Sequence, residues 1–262
     1  MTVAQDGALV RTRPAAVPLV AASAVMAGLA GIAWWWTIGE SGAMSSMAMG
    51  LAQIGRAMTF DMAPAAFLGM WATMMVAMMM PSIASPTLAY AQGRRAIAIA
   101  GAFVAFLTVY FAVWAVTGVP ALIALTALSH AGHASAWLDR VGGVMLVVAG
   151  AYQFTGPKRA SLRACRISFR TDTGDGAGPA VGAAAEAGVG RGLSCLRCCW
   201  ALIAVLLVVG VMNLAWMAVI TLVCLGETSR RYGTAVATSA GVALLGLGVA
   251  VLLHPPLLSA LA

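Results

Sequence analysis

Residues 61–90 read DMAPAAFLGMWATMMVAMMMPSIASPTLAY, an apolar run dense in thioethers and carrying internal prolines at Pro81 and Pro86. Along a helix, Met70, Met74 and Met78 recur every fourth residue, and Met75 and Met79 repeat that spacing one position around. At roughly 100° per residue, Met74, Met75, Met78 and Met79 fall within an arc of about 140° and share one broad face. Pro81 has no N–H for the carbonyl of Ala77, and its ring crowds that carbonyl, so the helix is expected to be interrupted after Met80. Pro86 does the same to Ser82. In a bilayer a freed carbonyl needs another partner, from Ser82, Ser85, Thr87, a neighbouring helix or a water, which predicts a kink packed against protein.

The rest of the chain suits an embedded helix. Of 262 residues, 62% are hydrophobic and 9% are charged. Several apolar runs approach or exceed the roughly 20 residues that cross a hydrocarbon core. An all-α polytopic transmembrane helical bundle is predicted, with spans at about residues 19–38, 65–90, 96–128, 137–154, 195–225 and 234–253. Residues 1–18 form a polar, basic tail without a small-residue cleavage pattern. Residues 19–154 carry four spans, residues 155–192 a basic and then Gly/Ala-rich linker with little reason to fold, and residues 193–262 the last two spans. The six spans allow a 3+3 inverted repeat, because in each half a long connection precedes the middle helix and a short one follows it. Those middle helices carry Met70-Trp71 and Trp216-Met217.

The formal net charge of +7 reads as topology. With the N-terminus inside, Arg11, Arg13, Arg94, Arg95, Lys158, Arg159, Arg163, Arg166, Arg170, Arg191 and Arg197 fall on the inner side. Arg56, Arg140, Arg230 and Arg231 fall on the outer side. The imbalance predicts a bacterial-type inner membrane protein with both termini cytoplasmic and its basic juxtamembrane segment against anionic lipid. No basic run is interleaved with aromatics in a foldable polar domain, so no nucleic-acid partner is expected. No hydrolase turn, phosphate loop or haem-type histidine pattern is present, and no catalytic residue is predicted.

Soft donors recur outside the opening stretch. The first outer loop carries Met44, Met47, Met49, Met58 and Met62 with Glu40 and Asp61. Cys195, Cys198 and Cys199 stand at i, i+3 and i+4, on one helical face, and Cys165 lies in the basic segment. Thioethers and thiolates select Cu(I), and an MxxxM spacing sets two sulfurs about 6 Å apart along a helix. Each feature also has a plainer reading. Met fills gaps between helices, and small cysteines pack at a helix start. His130 and His133 flank Gly132 in a loop, where solvation explains them as well as chelation does. Asn213 in mid-span suits an interhelical hydrogen bond. Asp61 and Glu227 are rim charges or cation attractors.

The order of four motifs carries a resemblance. Trp71-x-x-Met74-x-x-Ala77-Met78-Met79-x-Pro81 is followed by Tyr152-Gln153 leading to Pro157-Lys158. Gly192-Leu193-x-Cys195-Leu196-x-Cys198-Cys199-Trp200 and Gly210-Val211-Met212-Asn213-Leu214-x-Trp216-Met217 come next. Together they resemble the DUF2182 family of predicted metal-binding integral membrane proteins, over residues 65–227. The resemblance implies metal binding in a membrane, without a named reaction. The family pattern has a second cysteine four residues before the position of Cys165, and Ser161 stands there in this chain.

The resulting expectation is a membrane protein that binds a soft metal ion, first of all Cu(I), for transfer across the membrane or delivery to a protein partner or within a homo-oligomer. Met70, Met74, Met75, Met78, Met79, Cys165, Cys195, Cys198 and Cys199 are the candidate ligands, with His130 and His133 behind them. Pro81, Asn213, Trp71, Trp216, Glu227 and Asp61 are candidate structural or polar positions. The alternative is a non-catalytic membrane subunit or scaffold whose Met, Trp and Gly residues serve helix packing.

Overall fold

The computed structural model describes residues 16–44, 63–91, 96–131, 135–166, 181–211, 213–229 and 231–261. Asp61, His133, Met47, Met49, Met58 and Met62 lie outside the described residues. Among the described residues all regular structure is helical. In chain order the helices are α1 (Ala16–Met44), α2 (Pro64–Ala91), α3 (Ala96–Val116), α4 (Gly118–Ala131) and α5 (Ser135–Tyr152). They continue as α6 (Gly156–Arg166), α7 (Val181–Val209), α8 (Leu214–Thr228), α9 (Gly233–Leu253) and α10 (Leu257–Leu261). Pro64–Ile83, Gly101–Leu128, Val181–Val209 and Gly233–Leu253 are long and apolar enough to cross a membrane. Large apolar side chains such as Ile32, Trp35, Leu222 and Leu253 face outward, as lipid contact requires. The all-α membrane bundle expected from the sequence is the observed fold.

The interruption expected after Met80 does not form: α2 stays helical through Pro81 and Pro86. The carbonyl that Pro81 frees is answered by the neighbouring helix, where Trp34 Nε1 of α1 donates to Ala77 O at 3.0 Å. The expected span over residues 96–128 is present, built of two helices that meet at Thr117. Pro120 has no N–H for the Val116 carbonyl, and Thr117 turns back, its N–H and its hydroxyl both donating to Trp114 O at 3.1 and 2.6 Å. Trp71 of α2 completes the joint, its Nε1 donating to Trp114 O at 3.3 Å and Thr117 Oγ1 at 3.1 Å.

The reading of residues 195–225 as one span is also corrected. α7 ends at Val209, Gly210 takes φ +128°, and α8 starts at Leu214. That φ favours glycine, since a Cβ there would crowd the backbone. Asn213 is not a mid-span amide but the N-cap of α8, its side chain accepting from Trp216 N at 3.2 Å. The chain then doubles back, so that Cys224 lies against Cys199, their sulfurs 3.6 Å apart. The 3+3 division counted this hairpin as one helix and does not survive it.

Two further pairings frame the interior. α3 packs on α7, with Gly188 of α7 lying under the Phe106 carbonyl of α3. This contact explains why residues 181–192, expected to be unfolded linker, form the first turns of α7. α5 and α9 pack antiparallel, close enough that a Cβ on Gly150 would stand 2.9 Å from Gly241 O and one on Gly248 2.9 Å from Gly143 O. α9 thereby carries the chain away from Glu227, and Leu258 of α10 settles beside Gly142 near the start of α5.

Trp34→Phe should lower stability by about 1–2 kcal/mol, because it leaves the Ala77 carbonyl without its donor. In the Pro81→Ala background, where residue 81 regains an N–H, the same substitution should cost much less. Denaturant titration of the four proteins in detergent measures the difference.

Candidate metal centre

α7 is apolar enough to be embedded, and its i, i+3, i+4 spacing turns Cys195, Cys198 and Cys199 inward, all buried. α6 is a short amphipathic helix whose inward face is Lys158, Leu162 and Cys165. Where the two meet, the sulfurs of Cys165, Cys195 and Cys198 lie within 4.8 Å of one another. Cys165 Sγ and Cys198 Sγ are 3.8 Å apart. Cys199 Sγ is 3.2 Å from Cys198 Sγ but is not one of that trio; it leads on to Cys224 of α8. All five cysteines are free thiols.

Charged side chains bring these helices together. Lys158 Nζ is fully buried, donates to Glu227 Oε2 at 2.6 Å and also donates to the Cys198 carbonyl. One ammonium therefore ties α6 to both arms of the α7–α8 hairpin. Arg166 donates from Nε and Nη2 to Glu227 O at 3.1 and 2.7 Å. Arg191 of α7 donates to Ala164 O at 3.2 Å and to Cys165 O, the last-turn carbonyls of α6 that a helix leaves without partners. Tyr110 of α3 donates its hydroxyl to Cys195 Sγ at 3.2 Å and fixes that thiol from the far side.

The electrostatics follow from these contacts. Hydrogen bonds from the Cys195 and Cys198 thiols lower the Cys165 thiol to about 4, with the Arg191 charge also favouring the thiolate and burial opposing it. Burial works against the Lys158 ammonium, but Cys199, Glu227 and Cys198 hold it above its ordinary range. Glu227 Oε1 is buried without a hydrogen-bond partner among the described residues.

The structure thus unites Cys165, Cys195 and Cys198 and sets Cys199 beside them. Met74, Met75, Met78 and Met79 are buried on α2 and Met70 is half-buried, in a helix that packs on α1, α3, α4 and α8. They lie on a helix other than the two that carry the three thiols. His130 falls in the last turn of α4. Trp71 is buried at the α3–α4 joint, Trp216 is half-buried in the first turn of α8, and Pro81 is half-buried within α2. Glu227 was expected at the outer rim; it is instead fully buried against Lys158, because the hairpin returns it to the α6 side. Lys158, Arg191, Tyr110 and Cys224 are not among the site residues expected from the sequence. Cys224 and Glu227 three residues apart on an apolar helix were the available signal, since they share a face.

These features define a helical membrane protein with an interior thiol cluster able to hold a soft metal ion. The family described as PpoB2, copper chaperone, matches residues 68–251, and the chain belongs to that family. The motifs from Trp71 to Met217 lie inside the matched stretch. No curated protein and no solved structure matches the chain.

Lys158→Met should destabilise the fold by about 3–5 kcal/mol, because it strands a buried carboxylate. Lys158→Met/Glu227→Gln should recover most of that loss. Unfolding midpoints of the two variants in detergent decide it, and equal midpoints would show that the pair is not what holds α6 in place.

Proposed function

We propose that this protein is a membrane-embedded copper chaperone that holds Cu(I) on Cys165, Cys195 and Cys198 and delivers it to a protein acceptor. The observation that carries the reading is the convergence of three buried sulfurs within 4.8 Å from two different helices. Thiolates are soft donors that favour Cu(I). Structural zinc closes a four-ligand tetrahedron, so a three-sulfur set leaves it one ligand short. The copper chaperone description of the family agrees with this choice.

The buried methionines of α2 take a secondary part in this reading. Neutral thioethers bind and release Cu(I) without proton exchange, which suits a step before or after the thiolates. DUF2182-type motifs, a bacterial inner membrane location and a cytoplasmic N-terminus complete the reading. The α6 side faces the cytoplasm in this arrangement. Arg231 then joins it through the hairpin, so the bias of cations toward the inner side is stronger than for six simple spans.

Reduced protein loaded with Cu(I) in detergent should retain about one copper per chain by elemental mass spectrometry, as one site of soft donors implies. Cys165→Ser/Cys198→Ser should lose at least about tenfold in affinity, the order of effect expected when a ligand is removed. Met74→Leu/Met78→Leu should keep equilibrium binding and slow the transfer of copper to a chelator. A wild-type protein that retains no copper would sink the reading and leave the scaffold alternative.

A further inference from the structure

The cluster contains more sulfur than the proposed copper site uses. Cys165, Cys195 and Cys198 form the compact trio, while Cys199 and Cys224 face each other across the α7–α8 hairpin at 3.6 Å. Closing that gap to a disulfide of about 2.05 Å asks for side-chain movement of about 1.5 Å. The hairpin is anchored at both ends, by the Asn213 cap at its turn and by the Lys158–Glu227 pair at its open end. The two thiols are therefore kept in register. Cys198 and Cys199 are closer, at 3.2 Å, but are sequence neighbours within one helix, whose backbone does not permit the eight-membered ring of a vicinal disulfide.

We infer that Cys199 and Cys224 are a redox dithiol that reduces Cu(II) arriving at the neighbouring trio to the Cu(I) the protein carries. The inference rests on the copper reading above and adds an electron-donating activity to it. Two Cu(II) ions reaching the trio in turn each take one electron. The two S–H bonds of Cys199 and Cys224 break, one S–S bond forms, and two protons leave to solvent, so that two thiols and two Cu(II) give one disulfide, two Cu(I) and two protons. The 3.2 Å contact of Cys198 with Cys199 gives the electrons a direct path from the dithiol to a metal held by Cys198. Burial of both thiols, at 2% and 1% exposure, keeps bulky oxidants away and leaves a small ion held in the trio as the species in reach.

The test adds hydrated Cu(II) without oxygen to the reduced, metal-free protein. Cu(I) is trapped with a Cu(I)-specific chelator, and the cysteines are mapped by alkylation and mass spectrometry. Wild type should yield about two Cu(I) per chain and a Cys199–Cys224 crosslink, the stoichiometry of one dithiol oxidised to one disulfide. Cys224→Ser should reduce Cu(II) at least about tenfold more slowly, the change expected when the dithiol partner is lost. It should nevertheless retain copper supplied as Cu(I) as wild type does. If Cys224→Ser fails to fold, Cys224→Ala and the crosslink map of wild type decide. Undiminished reduction by either variant, or a crosslink that maps to Cys165–Cys198, overturns the inference. Retention of Cu(I) with no reduction of Cu(II) overturns this inference alone; failure to retain Cu(I) removes both readings.

Discussion

A lysine ammonium and a glutamate carboxylate, both fully buried and 2.6 Å apart, hold α6 against the α7–α8 hairpin. Removing two charges from water is expensive, several kcal/mol per ion, and the attraction between them offsets it only when the geometry is tight and the remaining donors are used. Lys158 meets both conditions, because its ammonium also reaches the Cys198 carbonyl. The result is positional. Cys165 stands opposite Cys195 and Cys198 because side chains on three helices pin α6 there, not because a metal draws it in. Arg191 adds to this from α7, capping the end of α6 where unpaired carbonyls and the helix dipole both favour a cation. The trio is thus positioned by contacts within the protein, among Lys158, Glu227, Arg166 and Arg191.

The other side of the bundle solves a different problem with indoles. Prolines in embedded helices free carbonyls that lipid cannot satisfy. Trp34 answers the carbonyl freed by Pro81, and Trp71 closes the joint between α3 and α4. Both bonds run between helices, so each proline becomes a point of attachment for α2 instead of a place where it breaks. Met74 and Met75 sit between these two attachments, at Trp71 and Ala77, and Met78 to Met80 directly follow the second. Their thioethers are therefore carried on a helix fixed from both neighbours.

The helical class was legible because composition and the 3.6-residue period both report on local chemistry. The spacing of Cys195, Cys198 and Cys199 likewise predicted their shared face. Chain direction was not legible in the same way. Residues 198–225 are apolar apart from Asn213 and Thr221, and hydropathy does not register that Gly210 reverses the backbone and Asn213 restarts a helix. The two residues were visible, but a glycine and an asparagine in an apolar run are also compatible with one continuous span. The same reversal moved Glu227 and Cys224 from an apparent outer rim to the interior. Residues 181–192 were misread for the opposite reason: their Gly/Ala composition suggests a linker, yet Gly188 and Gly192 are what let α7 approach α3. Local propensity was overridden by tertiary packing.

Charge balance gives the interior cluster its internal logic. In the copper-loaded form we propose, Cu(I) on three thiolates has a net charge of −2 by formal count, a heavy load for an apolar bundle. The groups bonded around the trio are Lys158, Arg166 and Arg191 against Glu227, and their charges leave an excess of two positives. Without Glu227 the empty site would hold three cations with no carboxylate beside them, and mutual repulsion would open it. Without the arginines the loaded site would have one ammonium against three negative charges, two on the metal centre and one on Glu227. The carboxylate therefore stabilises the empty state and the cations stabilise the loaded one. The site can exist in both because the same ion pair that fixes its geometry also sets its charge between the two extremes.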